Sequence, residues 1–294
     1  MERVFLTGCT GEIGSRLTNI LLLRDYQVLG VRSSSNCSIN HPKHSCEQID
    51  LLNGTSPLGL KDSNSEILIH TAWLTKPNEF WGSDKNEGWV TASKRLVDEF
   101  LAQGGKYVVV TGSCAEYSWD GAEPLSEDSI EQPATKYGKA KLELLNWLRS
   151  QEVEFLWTRS FFQFGMNEPT GRLIPTMIDD FDKKKKFVVR SGADTRDFVF
   201  IEDVAKVLAL LLSQKCSGVV NIGTGIETEI SALSALIAEK FKSPDLLSFE
   251  PNSDHMSYVV SDTKKIEKLI GRFPWTPLDI AIEKTIAART QKVI

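Results

Sequence analysis

Along the first half of the chain, short apolar runs alternate with longer segments whose apolar residues recur every three or four positions. Val4 to Thr7 reads as a strand, and Ile13 to Leu23 as a helix with Ile13, Leu17, Ile20 and Leu21 on one face. Gln27 to Val31 reads as a second strand, the polar stretch Ser33 to Ser45 as a loop, and Glu47 to Asp50 as a short third strand. Ile67 to His70 and Tyr107 to Val110 are the fourth and fifth, with a helix over Ala92 to Ala102 between them. A helix over Tyr137 to Arg149 precedes a sixth strand, Glu154 to Thr158. Strands alternating with helices argue for a parallel sheet covered on both faces. After about Phe164 the rhythm changes: a helix opens at Gly171-Arg172-Leu173-Ile174-Pro175, and Phe198 to Ile201 and Val219 to Ile222 read as strands. Further helices are expected over Ala205 to Leu212, Ile230 to Phe241 and Leu278 to Ala288. The pattern predicts an α/β chain: a doubly wound parallel sheet over residues 1–165 and a smaller mixed α/β lobe over 166–294, interleaved with the last sheet elements.

Thr7-Gly8-Cys9-Thr10-Gly11-Glu12-Ile13-Gly14 falls where the first strand gives way to the first helix. In such a turn Gly8 permits the tight bend, Gly11 lets backbone approach a pyrophosphate, and Gly14 lets helix pack on strand. The phosphates then meet free N–H groups at a helix N-terminus. This strand–turn–helix context marks a Rossmann dinucleotide site. After the second strand an acid would bind the ribose hydroxyls of NAD; this chain has Arg32-Ser33-Ser34-Ser35 instead. A guanidinium followed by hydroxyls suits a 2′-phosphate, so NADP is expected ahead of NAD. Asp50 is placed to accept a hydrogen bond from the adenine amine.

The 294 residues suffice for one large domain with a smaller lobe. A net charge of −5 and the lack of any long basic block speak against nucleic acid, and Lys183-Lys184-Lys185-Lys186 reads as a solvated helix end. No apolar run approaches the ~20 residues of a membrane span. The N-terminus runs straight into a strand-like segment, so no signal peptide is expected. Five scattered cysteines without a CxxC fit reduced thiols in a cytoplasmic protein. His41 and His44 lie near Cys37 and Cys46, but the spacing matches no zinc pattern, and no metal site is expected.

Tyr137 and Lys141 stand four residues apart in a helical segment, on one face. An ammonium beside a phenol favours the phenolate, lowering a pKa that is ~10 when unperturbed. A tyrosine so tuned can exchange protons near neutral pH.

Together these residues resemble the extended short-chain dehydrogenases/reductases, the sugar-nucleotide epimerase/dehydratase type, nearly end to end. The TGxxGxxG turn is Thr7 to Gly14; Ser113, in Thr111-Gly112-Ser113-Cys114-Ala115-Glu116-Tyr117, matches the family's catalytic Ser/Thr; Tyr137 and Lys141 match its Tyr/Lys pair, with Gln132-Pro133 upstream. Thr195-Arg196-Asp197-Phe198 through Ala205 resembles the RDFxxVxDxA segment, and Gly218 to Gly225 the GxxNIGxG segment. The resemblance implies Ser113, Tyr137 and Lys141 as the catalytic set. Tyr137 would exchange a proton with a substrate hydroxyl or carbonyl; Lys141 would depress the Tyr137 pKa and bind the nicotinamide ribose; Ser113 would hydrogen-bond the same substrate oxygen. It further implies a cofactor site of Gly8, Thr10, Gly11, Glu12, Ile13, Arg32, Asp50, Leu51, His70 and Ala72 with Tyr137 and Lys141. Substrate would meet Trp73, Ser113, Phe162, Arg172 and Arg196, the last on a pyrophosphate, unless Arg196 is a structural partner of Asp197 or Glu202.

Departures from the family pattern narrow the chemistry. Sugar-nucleotide 4,6-dehydratases of this family carry Asp-Glu directly after the catalytic Ser/Thr, whereas this chain has Cys114-Ala115. Glu116 is one residue late, which on a strand would turn it to the opposite face. Cys114 reads as a small buried residue rather than a nucleophile. The usual RxFNxYG stretch is Arg159-Ser160-Phe161-Phe162-Gln163-Phe164-Gly165, so Phe162 replaces an asparagine and makes the pocket wall more apolar. Trp73 could pack a deoxysugar ring or belong to the core. These features lead to an NADP(H)-dependent reductase of a nucleotide-linked keto-deoxysugar. A sugar-nucleotide epimerase, a reductase of non-sugar carbonyls and a non-catalytic cofactor-binding regulator remain as alternatives. A homodimer through the Ala92 and Tyr137 helices is the family's expectation.

Overall fold

The computed structural model describes residues 2–33, 36–54, 60, 64–251 and 256–290. The order of elements begins β1 (Arg3–Thr7), α1 (Glu12–Leu23), β2 (Gln27–Arg32), β3 (His44–Gln48), β4 (Ile67–His70), α2 (Lys85–Ala102), β5 (Tyr107–Ser113), α3 (Lys136–Arg149), β6 (Glu154–Ser160) and β7 (Phe162–Phe164). It continues α4 (Leu173–Asp182), β8 (Phe187–Val189), β9 (Thr195–Arg196), β10 (Phe198–Phe200), α5 (Ile201–Ser213), β11 (Gly218–Ile222), β12 (Thr228–Glu229), α6 (Ile230–Lys240), β13 (Leu247–Phe249), β14 (Tyr258–Val259), α7 (Lys264–Ile270) and α8 (Leu278–Thr290).

Seven strands form one sheet in the order β11-β6-β5-β4-β1-β2-β3, every neighbouring pair parallel. Burial on both faces explains why the strands read as continuous apolar runs rather than alternating ones. Successive side chains still part company across the sheet. Val4 and Leu6 of β1 pack with Leu17 of α1 and Val204 and Leu208 of α5, whereas Phe5 packs with Leu96 and Phe100 of α2 and Leu144 of α3. The sheet is therefore sandwiched between α1/α5 on one side and α2/α3 on the other.

Beyond β6 the chain leaves the sheet and returns once to add β11 at its edge. Between and after those excursions it forms a lobe with three small sheets: β10 pairs with β7, β9 lies between β12 and β14, and β13 pairs with β8. A separate apolar core, including Phe164, Met177, Ile178, Phe181, Leu233 and Ile282, joins α4, α6 and α8.

Two expectations shift. The third strand runs over His44–Gln48 rather than Glu47 to Asp50, because backbone pairing with Val28–Arg32 fixes it there. Asp50 instead caps a 3-10 turn over Leu51–Asn53, accepting from the Leu52 N–H at 3.0 Å. Likewise β5 stops at Ser113, and Cys114–Glu116 form a 3-10 turn. No helix among the described residues is long and apolar enough to cross a membrane.

Candidate active site

The turn after β1 is shaped by close approach. The Gly8 N–H donates to the Val31 carbonyl and the Gly11 N–H to the Gly8 carbonyl, and α1 then starts at Glu12 with Gly11 as its N-cap. Gly8 holds φ +74°, and a Cβ on Gly14 would lie 2.1 Å from the Gly8 carbonyl oxygen. The glycines thus bare the N–H groups of the first turn of α1 toward a cavity of about 330 Å³. Of the expected cofactor residues, Gly8, Thr10, Gly11, Glu12, Ile13, Arg32, Leu51 and Ala72 line it. The donor-rich turn, the long groove across β1 and β2, and the guanidinium at its far end fit a dinucleotide.

Other expected cofactor residues lie elsewhere. Asp50 is absent from the groove wall because its carboxylate is committed to the Leu52 N–H. His70 is a core histidine: Nδ1 is 2.6 Å from Thr7 Oγ1 and Nε2 is 2.8 Å from Ser93 Oγ. Burial, aided by the Lys141 charge, pushes its pKa down to about 3, so the ring is neutral.

A second cavity of about 340 Å³ opens where β5, β6 and β7 end, and both Ser113 and Tyr137 line it. Thr135 caps α3 by accepting from the Gly138 N–H at 3.0 Å. A Cβ on Gly138 would lie 2.1 Å from the Ala115 carbonyl oxygen, so this glycine lets α3 lie directly on the turn after β5 and brings Tyr137 to Ser113. Burial raises the Tyr137 phenol, while its hydrogen bond with Ser113 favours the phenolate. Contrary to expectation, Lys141 is not what tunes it here. The Lys141 ammonium donates to the Thr111 carbonyl at 2.8 Å and sits 3.7 Å over the Trp73 ring, in neither cavity's wall. Burial pushes Lys141 down to about 7.

Trp73 accordingly supports Lys141 and faces the dinucleotide groove, its indole N–H donating to Asn86; it does not line the Ser113/Tyr137 cavity as a substrate contact. Phe162 does line that cavity, as the sequence implied. Aromatic rings surround it: Phe80 and Trp81 meet Tyr137 edge-on at 5.1 and 5.6 Å, and Phe162 lies 6.1 Å from Phe198. Arg196 also reaches the wall, 5.1 Å over Phe162. Its partners are Asp194 at 2.8 Å and Ser257, not Asp197 or Glu202. Asp197 instead accepts from Thr224, Gly225 and Ser261.

The residues after Ser113 hold no free acid. Burial pushes the Cys114 thiol up to about 12, so it is no thiolate. Glu116 is fully buried and accepts from the Ser113 N–H (2.8 Å), the Trp157 indole and Arg159 Nε (2.6 Å). The 3-10 turn, rather than strand alternation, sends it into the core.

Sequence reasoning missed two residues at the junction of the cavities. These are Gln163 and Glu168, which line both together with Arg172, already expected on the substrate side. Gln163 Oε1 is buried without a hydrogen-bond partner among the described residues. Glu168, pushed up to about 7 by burial, pairs with Arg172 Nε at 3.4 Å, and Arg172 lies 5.0 Å over the Phe80 ring. Glu168 and Arg172 pair across irregular backbone ahead of α4, where helical i,i+4 spacing gives no signal, and nothing in the sequence marked Gln163 as buried.

Residues 4–223 match the family described as NAD dependent epimerase/dehydratase. The chain belongs to that family. A UDP-glucose 4-epimerase of Mycolicibacterium smegmatis is 25% identical over 304 residues, covering 97% of each chain. UDP-glucuronic acid decarboxylase 1 of Danio rerio is 24% identical, covering 97% of this chain and 72% of that one. Among solved structures, a UDP-N-acetylglucosamine 4-epimerase from Methanobrevibacter ruminantium in complex with UDP-N-acetylmuramic acid superposes with TM-score 0.85 at 20% identity, covering 99% of both chains. MoeE5 in complex with UDP-glucose and NAD gives 0.82 at 23% identity, covering 99% of this chain and 100% of that one. The doubly wound fold is thus that of this family's sugar-nucleotide enzymes, and nicotinamide dependence comes with the family.

Proposed function

We propose that this enzyme is an NADP(H)-dependent reductase of a nucleotide-linked keto-deoxysugar. The observation that carries the reading is the wall of the Ser113/Tyr137 cavity: a proton donor pair among aromatic rings, with the positions after Ser113 held by Cys114 and Ala115 and the nearest acid, Glu116, locked to Arg159. Elimination needs an acid and a base at those positions; carbonyl reduction needs one proton donor and a hydride. A nicotinamide in the groove supplies the hydride. Tyr137 then gives its phenolic proton to the carbonyl oxygen, while Ser113 Oγ donates a hydrogen bond that stabilises charge developing on it. Lys141, held over Trp73 with its pKa pushed down to about 7 by burial, would bind the ribose once a dinucleotide fills the groove. The raised phenol suits a donor that keeps its proton until the oxygen demands it. The aromatic wall favours a face of the sugar that has lost hydroxyls. Arg32, lining the groove past β2, favours the 2′-phosphate.

Epimerisation is the second reading, supported by the names of the relatives and by their NAD complexes. It would use the same three residues and keep its cofactor. NADPH absorbance followed with a panel of nucleotide-linked 4-keto-6-deoxysugars separates the two. Turnover that falls ~10²–10⁴-fold in Tyr137→Phe supports the reductase. Denaturation releasing stoichiometric NAD, with no NADPH consumption on any keto sugar, overturns it in favour of the epimerase.

A further inference from the structure

At the β3 edge of the sheet, and reaching the turn after β1, four side chains converge that the reaction does not use. Cys37, His44 and Cys46 place one ligand atom each within 4.8 Å of one another. Cys37 Sγ is 3.2 Å from His44 Nε2, and Cys46 Sγ is 3.4 Å from Cys9 Sγ. Zn–S bonds of ~2.3 Å around a tetrahedron put neighbouring ligand atoms ~3.8 Å apart, close to these spacings. The histidine tautomer is also set. Nδ1 lies 3.1 Å from the Val28 carbonyl oxygen, which can only accept, so Nδ1 carries the proton and Nε2 turns its lone pair to the thiols. A backbone carbonyl in this role is the usual second partner of a metal-binding imidazole. The strand between them is relieved of a side chain to make room: Gly30 pairs with Cys46, and a Cβ there would lie 2.7 Å from Cys9 Sγ and 3.0 Å from His44 Cε1.

We propose that Cys37, His44 and Cys46, closed by Cys9, bind a zinc ion in a tetrahedral Cys3His site. Three thiols and an imidazole without an open position select zinc over hard cations and give a structural rather than a catalytic centre. The sequence spacing showed no zinc pattern because the fourth ligand comes from the turn after β1, while the other three sit on and before β3. The ion would pin the polar segment ahead of β3, and the β3 edge itself, to the turn that cradles the dinucleotide.

The test is metal content of reduced protein purified from zinc-supplemented culture, with cobalt(II) titration of the metal-stripped wild type. The site is supported by one equivalent of zinc per chain, by thiolate-to-cobalt charge-transfer bands with strong visible d–d bands, and by loss of both in Cys37→Ser and His44→Ala but not in Cys216→Ser, whose thiol lies outside the cluster. Should the ligand variants fold poorly, the wild-type cobalt spectrum decides alone. Reduced wild type that takes up no metal, gives a cobalt spectrum without thiolate bands, or on exposure to air forms a Cys9–Cys46 disulfide in place of binding metal overturns the proposal.

Discussion

Replacing Glu116 separates a structural carboxylate from a catalytic one. Its side chain is fully buried and meets Arg159, itself fully buried, at 2.6 Å, while also accepting from the Ser113 N–H and the Trp157 indole. Glu116→Gln keeps the shape but deletes the charge, leaving Arg159 to Glu131, 2.5 Å away, and to the Tyr117 ring 4.3 Å below. Breaking a buried pair on one side costs about 3–5 kcal/mol, a large part of the ~5–15 kcal/mol that holds such a protein folded. The Glu131 contact offsets part of this, so the lower end is expected. At ~2–4 °C per kcal/mol the thermal midpoint should fall by about 6–12 °C. Because the same carboxylate fixes the Ser113 backbone, turnover should drop with stability and recover partly when the assay is cooled. Differential scanning calorimetry beside NADPH-coupled rates makes the measurement. A variant that melts within ~2 °C of the parent yet loses all turnover would show that Glu116 is a reacting group.

Three further outcomes follow from the same geometry. Gly14→Ala places a methyl 2.1 Å from the Gly8 carbonyl, so it should cost ~1–3 kcal/mol and weaken dinucleotide binding; unchanged fluorescence titrations with NADPH would contradict the close approach. Lys141 has a native pKa lowered to about 7, so between pH 7 and ~10.5 the unfolded chain binds a proton that the native state lacks, and stability should rise with pH across that window. Urea midpoints of the parent should therefore climb relative to Lys141→Met over that range, and parallel curves would mean the ammonium is not desolvated. Arg32→Ala should weaken NADPH by ~1.5–3 kcal/mol, roughly tenfold to a hundredfold, and leave NADH nearly untouched; equal loss of both would remove the 2′-phosphate contact.

Much of the sheet could be read from the sequence because its strands are buried on both faces and so are apolar throughout, as in Ile67–His70 and Tyr107–Ser113. Strand β3 misled because His44-Ser45-Cys46-Glu47-Gln48 shows no apolar pattern and is held by pairing with β2 alone. The two- and three-residue strands of the lobe owe their existence to tertiary pairing, which local propensity does not encode. Within the site, the glycine turn and the Ser113/Tyr137 pair were legible because spacing on a turn or helix fixes geometry. Partners from distant segments were not: His70 looked like a groove residue until Thr7 and Ser93 enclosed it, and Trp73 like a pocket wall until Lys141 covered its face.

The stretch from Gln163 to Arg172 forms part of the wall of both cavities, so the compartments share one partition rather than standing apart. Thermodynamic reciprocity then makes the two occupants report on each other. A ligand that drew Arg172 off Glu168 and so changed the affinity for the occupant of the other cavity would have its own affinity changed by that occupant by the same factor.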